Sequence, residues 1–231
     1  MSSINHFFDK IYIINLSHSV QRKQKMIEQF KKYNITNYKF FLATDKSSIN
    51  TDELKNSNNW AFPGNNFYCS DECTCNGNGH ELTKSEIAIN ISHDRVYHDM
   101  ISNNFSNCLI MEDDCFFTDE ILNFDEIIQD IPKDWELVYF GNTDFISPTS
   151  TVDIQNSYFK KCFGIPCVHM YAITKNCAIK LSSNMYPLRA AIDGYIHRFI
   201  IEKNIIHNSY VCTKNLGING SLYQIVDKEN F

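Results

Sequence analysis

Apolar and polar positions along this chain fall in blocks whose period switches between that of a strand and that of a helix. Residues 10–16 predict a buried strand, because Ile11, Ile13 and Ile14 make a β-branched apolar run. Ser17 and Ser19 offer N-caps for a helix reaching about residue 33, with Val20, Met26, Ile27 and Phe30 on its inner face. A second strand over 38–43 ends in Thr44-Asp45, at the carboxyl end where open α/β sheets bind ligands. Residues 46–81 then lose their period in a loop rich in Asn, Ser, Gly and Cys, as a lid or binding loop would. Order returns where Thr83 and Glu86 stand at capping-box spacing, opening a helix to about residue 101 that turns Ile87, Ile91, Val96 and Tyr97 inward.

Farther on, strands are predicted over 107–111, 136–141, 167–173 and 205–212, with helices over 120–128, 175–182 and 193–203. This alternation is that of an α/β fold. No repeat or linker divides it, so one domain over 1–231 is expected, with a Cys-containing insertion at about 46–81.

With 231 residues, 43% hydrophobic and 13% aromatic, the chain can bury a full core. A net charge of -6 supplies no footprint for nucleic acid. The cations at Arg22-Lys23-Gln24-Lys25 and Lys31-Lys32 read as solvated helix surface, and only Arg22 keeps a second claim. Asp9 and Lys10 interrupt the first apolar stretch, so no signal peptide is expected, and no segment has the length of a membrane span. The expected setting is a soluble protein, cytoplasmic or in a host-cell or viral context, or a domain delivered by a partner. Six of the nine cysteines, Cys108, Cys115, Cys162, Cys167, Cys177 and Cys212, lie among apolar residues and read as reduced core thiols. Cys69, Cys73 and Cys75, followed by His80, match no usual zinc spacing; the knot reads as a plain loop, with a metal site or local disulfide as the alternative.

Chemistry concentrates where the apolar strand Cys108-Leu109-Ile110-Met111 runs into Glu112-Asp113-Asp114. Three charges there are costly without a cation, so they either hold a divalent metal with its phosphate ligands or do proton chemistry. Hard oxygen donors suit Mn²⁺ or Mg²⁺ bridging a diphosphate. Strand alternation would place Glu112 and Asp114 together and Asp113 away, unless the strand ends and turns there. Asp114 is the leading metal ligand and Glu112 shares the role; capping of the next turn would explain one acid but not three.

Further motifs follow in order over about 10–195: Ile11-Tyr12-Ile13-Ile14-Asn15-Leu16 with Arg22, Leu82-Thr83-Lys84-Ser85-Glu86-Ile87-Ala88 leading to Ser92-His93, Trp135-Glu136-Leu137-Val138-Tyr139-Phe140-Gly141, Tyr171-Ala172-Ile173, and Ala191-Ile192-Asp193. With the acidic triplet they resemble glycosyltransferase family 25, the group of lipooligosaccharide glycosyltransferases and procollagen galactosyltransferases. The resemblance implies a GT-A-type fold, a Rossmann-like mixed sheet flanked by helices. It also implies a metal-dependent inverting enzyme, moving galactose or glucose from a UDP-sugar to a hydroxyl of a glycan or of collagen-like hydroxylysine. The alternatives are a degenerate fold kept as a binding module and a metal-dependent nucleotide-sugar hydrolase. A homodimer is compatible with either.

Carried onto this chain, the resemblance puts Asn15 and Leu16 under the nucleotide, Arg22 at its phosphates or base, and Thr44 and Asp45 at the uracil or ribose. Lys84 would supply charge at the diphosphate, Ser92 and His93 would shape the sugar pocket, and Asp113 would face the ribose or sugar. His93 equally suits a satisfied core histidine, and His169 reads as structural. The metal set would be Glu112, Asp114 and His207. An attacking hydroxyl needs a general base, for which Asp193 is first and Asp144 second; an N-cap for a helix starting at Tyr195 is the other reading of Asp193. Gly194 replaces an acid of the collagen-modifying relatives, which leaves acceptor recognition open.

Overall fold

The computed structural model describes residues 4–57, 82–141, 151–165, 168–201 and 203–220. Its elements run α1 (Ile4–Phe7), β1 (Lys10–Asn15), α2 (Val20–Lys32), β2 (Tyr38–Leu42), α3 (Thr51–Asn56), α4 (Lys84–Ser102), β3 (Asn107–Glu112), β4 (Cys115–Phe117) and α5 (Phe124–Ile127). They continue β5 (Leu137–Tyr139), β6 (Thr151–Asp153), β7 (Phe159–Cys162), β8 (Met170–Thr174), α6 (Lys175–Asn184), α7 (Ile192–Gly194), a π-helical stretch Tyr195–Ile201, β9 (Ser209–Cys212) and β10 (Gly217–Asn219).

Eight strands form one mixed sheet in the order β2-β1-β3-β8-β5-β9-β7-β6, and β10 pairs with β4 beside it. Alternate residues of each strand enter two separate cores. Tyr12, Ile14, Ile110, Tyr139 and Tyr171 face α4 and α6, while Ile11, Ile13, Leu109, Met111 and Phe140 face α2 and α5. Covering on both faces explains why β1 reads as a continuous apolar run rather than an alternating one.

The neighbours of β1 place the functional edge. β2 and β3 flank it, both parallel; the chain passes from β1 to β2 on one side and then crosses back through α4 to β3 on the other. Carboxyl ends of β1, β2 and β3 therefore share one edge at a switch point, where such sheets open a crevice. β8 runs antiparallel between β3 and β5 and brings its amino end to the same edge.

The predicted capping box is present: Glu86 N donates to Thr83 Oγ1 at 3.2 Å and Thr83 N to Glu86 Oε2 at 2.7 Å. On α2 one predicted position is corrected. Val20 is 66% exposed, and the inward row is Arg22, Met26 and Phe30. The helix enters over the acids at the end of β3, so a cation takes the place an apolar residue would hold farther along. Cys108, Cys115, Cys162, Cys177 and Cys212 are buried free thiols, as expected. Cys167, Cys69, Cys73, Cys75 and His80 lie outside the described residues. Among the described residues no helix is long and apolar enough to cross a membrane.

Candidate active site

β3 ends at Glu112, and the chain turns through Asp113 and Asp114. That turn overrides strand alternation. Arg22 Nη1 lies 3.0 Å from Asp113 Oδ1 and 4.0 Å from Asp114 Oδ2, whereas Glu112 Oε1 sits 3.6 Å from His93 Nε2. The expected pairing of Glu112 with Asp114 is thus replaced by Asp113 and Asp114 sharing one guanidinium. Asn15 Nδ2 donates to Asp113 Oδ2 at 2.7 Å and to Ser19 O at 3.2 Å, so Asn15 holds the acid loop against the start of α2. Burial pushes the Asp113 carboxyl up, and the hydrogen bonds from Asn15 and Arg22 recover only part of that. Burial also pushes Glu112 up, but His93, then His169 and Arg22, outweigh it and leave Glu112 below the usual range.

These acids form one wall of a cavity of about 430 Å³ at the carboxyl ends of β1, β2 and β3. Leu16, His18 and Arg22 continue the wall on one side, Thr44, Asp45 and Lys46 on another, and Ser85, Ser92 and His93 of α4 close it. Thr44 is held in place by α4: its N–H donates to Ser92 Oγ at 2.8 Å, and Arg95 Nη1 donates to Thr44 Oγ1 at 3.2 Å. Ser92 Oγ in turn donates to Ala88 O at 2.7 Å. Asp45 accepts from Ser47 N at 2.8 Å and pairs with His18 at 3.5 Å. Sequence reasoning missed His18 and Arg95. Arg95 is one turn beyond the Ser92 that was found on α4, within reach of a helical-spacing search, whereas His18 stands in the loop that leads Leu16 into α2 and has no periodicity to signal it.

A second cavity of about 210 Å³ adjoins the first, and Glu112 and Ile89 line both. Asp193, Glu86, His169 and Asn219 complete its polar wall. Asp193 lies within α7, whose N-cap is Ala191, so it is not the cap of a helix starting at Tyr195. Among the described residues its carboxylate makes one hydrogen bond, from Gly194 N to Oδ1 at 2.7 Å. His169 was read as structural, and it is fully buried, yet it lines this cavity beside Glu112. Its Nε2 faces Gly217 O at 3.0 Å; a carbonyl only accepts, so Nε2 carries the proton. Burial lowers the His169 pKa and keeps the ring neutral. Gly141 leaves room for it, since a Cβ there would lie 2.3 Å from Nε2.

Two other expected residues lie elsewhere. Lys84 is exposed at the start of α4 and lines neither cavity; the neighbouring Ser85 does. His207 precedes β9, which runs parallel to β5, so it sits at the sheet edge opposite the acids and cannot join a metal there. Its ring pairs with Asn204 Oδ1 at 2.8 Å and its N–H donates to Glu136 Oε2 at 3.1 Å. Asp144 lies outside the described residues.

The Glu136 cluster that claims His207 is structural. Burial raises the carboxyl, but Lys180 and the backbone N–H groups of His207 and Asn208 outweigh burial and leave it below the usual 4.5. A depressed folded pKa means stability present above about 4.5 and lost as pH falls through the folded value. Thermal melts of Glu136→Gln should show a lower Tm than wild type at pH 7 and a shallower loss of stability below about pH 4.5.

Among the described residues no three His, Cys, Asp or Glu side chains converge as a closed metal cage. Glu112 and Asp114 nevertheless present hard oxygens on the larger cavity's wall. That donor set suits a cation such as Mg²⁺ or Mn²⁺ that takes its remaining ligands from phosphate and water.

The profile of Glycosyltransferase family 25 (LPS biosynthesis protein) matches residues 8–196 of this sequence. The chain belongs to glycosyltransferase family 25. Procollagen galactosyltransferase 2 of Mus musculus is 30% identical over 138 residues, 58% of this chain and 21% of that protein. An inactive glycosyltransferase 25 family member 3 of Mus musculus is 26% identical over 154 residues, 64% of this chain and 24% of that protein. The chain therefore spans about a fifth to a quarter of the length of these relatives. Among solved structures, a glycosyltransferase involved in the glycosylation of the major capsid of PBCV-1 superposes with a TM-score of 0.50. That alignment covers 92% of this chain and 93% of that one at 10% identity. The likeness is one of fold, and it makes this family 25 domain GT-A-like.

Proposed function

We propose that this family 25 domain is an inverting hexosyltransferase that binds a UDP-sugar in the larger cavity and an acceptor hydroxyl in the smaller one. The observation that carries the reading is the meeting of the two cavities at Glu112, with Asp193 lining the smaller one alone. Leu16, Thr44 and Asp45 would take the nucleoside, with Arg22 and the turn it anchors beside the diphosphate. Asp193 would accept the proton of the attacking hydroxyl as its oxygen bonds to the anomeric carbon and the bond to the diphosphate oxygen breaks. Mn²⁺ or Mg²⁺ held by Asp114 and Glu112 would supply positive charge for the departing diphosphate. Galactose or glucose is the proposed sugar, and a glycan or collagen-like hydroxylysine the proposed acceptor.

Release of UDP from UDP-galactose and UDP-glucose, with Mn²⁺ and with or without acceptor, tests this. Acceptor-dependent release from one donor supports transfer; equal release without acceptor points to a hydrolase. Unchanged activity in Asp114→Ala would sink the metal assignment. A second reading is motivated by the match to an inactive relative: a non-catalytic binding module. Calorimetry separates it, since a module of that kind should show no Mn²⁺-dependent affinity for UDP.

A further inference from the structure

Four polar groups run in a line through an otherwise apolar core, from the middle of α4 to the junction of the cavities. Tyr97 Oη lies 2.8 Å from Tyr171 Oη, and Tyr171 Oη lies 2.7 Å from His93 Nδ1. His93 Nε2 then faces Glu112 Oε1 at 3.6 Å, just beyond hydrogen-bond length. Tyr97, Tyr171 and His93 are all fully buried. Strand register builds the line: Tyr171 of β8 stands opposite Ile110 of β3, and Glu112 follows two residues later on the same face. His93 and Tyr97 are one helical turn apart on α4, and the imidazole stacks on the Tyr171 ring at 5.7 Å and 27°.

Hydrogen-bond accounting gives the line a direction. An ionised Glu112 only accepts, so the nitrogen facing it should carry the proton, which leaves Nδ1 of a neutral ring as an acceptor. Tyr171 must then donate to Nδ1, and Tyr97 to Tyr171. Run the other way, the Tyr97 hydroxyl would have no acceptor among the described residues, a costly state for a buried donor.

We propose that Tyr97, Tyr171 and His93 form a one-way hydrogen-bond chain that fixes the Nε2–H tautomer of His93 and so holds the Glu112 carboxylate at the junction of the two cavities. His93 is then a positioning residue rather than a sugar contact, and the two tyrosines act through it. For its catalytic consequence this rests on the transferase reading; the tautomer itself does not.

Nitrogen-15 NMR of the labelled imidazoles reads the tautomer without turnover, with the His93 signals assigned by their loss in His93→Gln. The expected wild-type pattern is protonated Nε2 and bare Nδ1, becoming a mixture in Tyr171→Phe. Supporting outcomes in UDP release are a kcat lowered about 10- to 100-fold in Tyr171→Phe and His93→Asn, and substantial recovery in His93→Gln, whose amide can replace Nε2–H. A role in packing alone would lower Tm but leave the tautomer and the Gln-over-Asn preference unmoved. A wild-type Nδ1–H tautomer or an imidazolium overturns the chain. Full kcat in Tyr171→Phe overturns its positioning role. If no UDP-sugar is turned over, the transferase reading fails while the spectrum still decides the chain.

Discussion

Replacing Arg22 with methionine should produce the largest loss of stability of any single change at this site. The Arg22 side chain is 4% exposed and the Asp113 side chain 11% exposed, so the substitution leaves the buried Asp113 carboxylate without the guanidinium that stands 3.0 Å from it. Breaking one member out of a buried pair costs about 3–5 kcal/mol, much of it the desolvation of the partner left behind. For a chain of this size that corresponds to a Tm lower by about 10 °C. The deficit should shrink in acid. Asp113 already has a raised folded pKa, and losing Arg22 raises it further; the stability linked to such a group is present at low pH and lost as pH rises through the folded value. Adding Asp113→Asn should restore part of the loss at pH 7, because the pair is coupled. Melts of the wild type, the single variant and the double variant across pH decide it; equal Tm for wild type and Arg22→Met would show that the pair contributes nothing net.

The same pair marks how much of this molecule was legible in its sequence. β1, β3 and α4 stand within a residue of their expected bounds, since each carries a long period or a capping box. The short strands β4, β6, β7 and β10 have three or four residues, too few to display alternation, and were not predicted. At the site the acidic triplet announced itself because charge inside an apolar run is anomalous. The pairing of that triplet with Arg22 did not: Arg22 was singled out from its lysines for the nucleotide, but it lies 91 residues from Asp113 and nothing in the sequence brings the two together. His169 was legible only as a core residue, because its place beside Glu112 depends on β8 inserting antiparallel between β3 and β5. The error at His207 has the same origin, since a late histidine lies near the acids or across the sheet according to strand direction alone.

Asp193→Asn should cut transfer by about 10²- to 10⁴-fold while leaving the fold and the nucleotide cavity intact. The residue is half-buried, and its described hydrogen bond from Gly194 N can be accepted equally by an amide oxygen, so Tm should hardly move. It lines the second cavity and not the first, so the Kd for UDP measured by calorimetry should be unchanged. An amide cannot take the hydroxyl proton, and removal of a general base typically costs about 10²- to 10⁴-fold. The fall should therefore appear in kcat for the acceptor-dependent reaction, with wild-type UDP binding. Loss of UDP affinity along with turnover would instead mean that Asp193 supports the donor side through Glu112. Full transfer by Asp193→Asn would move the base to another carboxylate of that cavity, Glu112 or Glu86, and of these Glu112 is the better placed, because it alone faces both donor and acceptor sides.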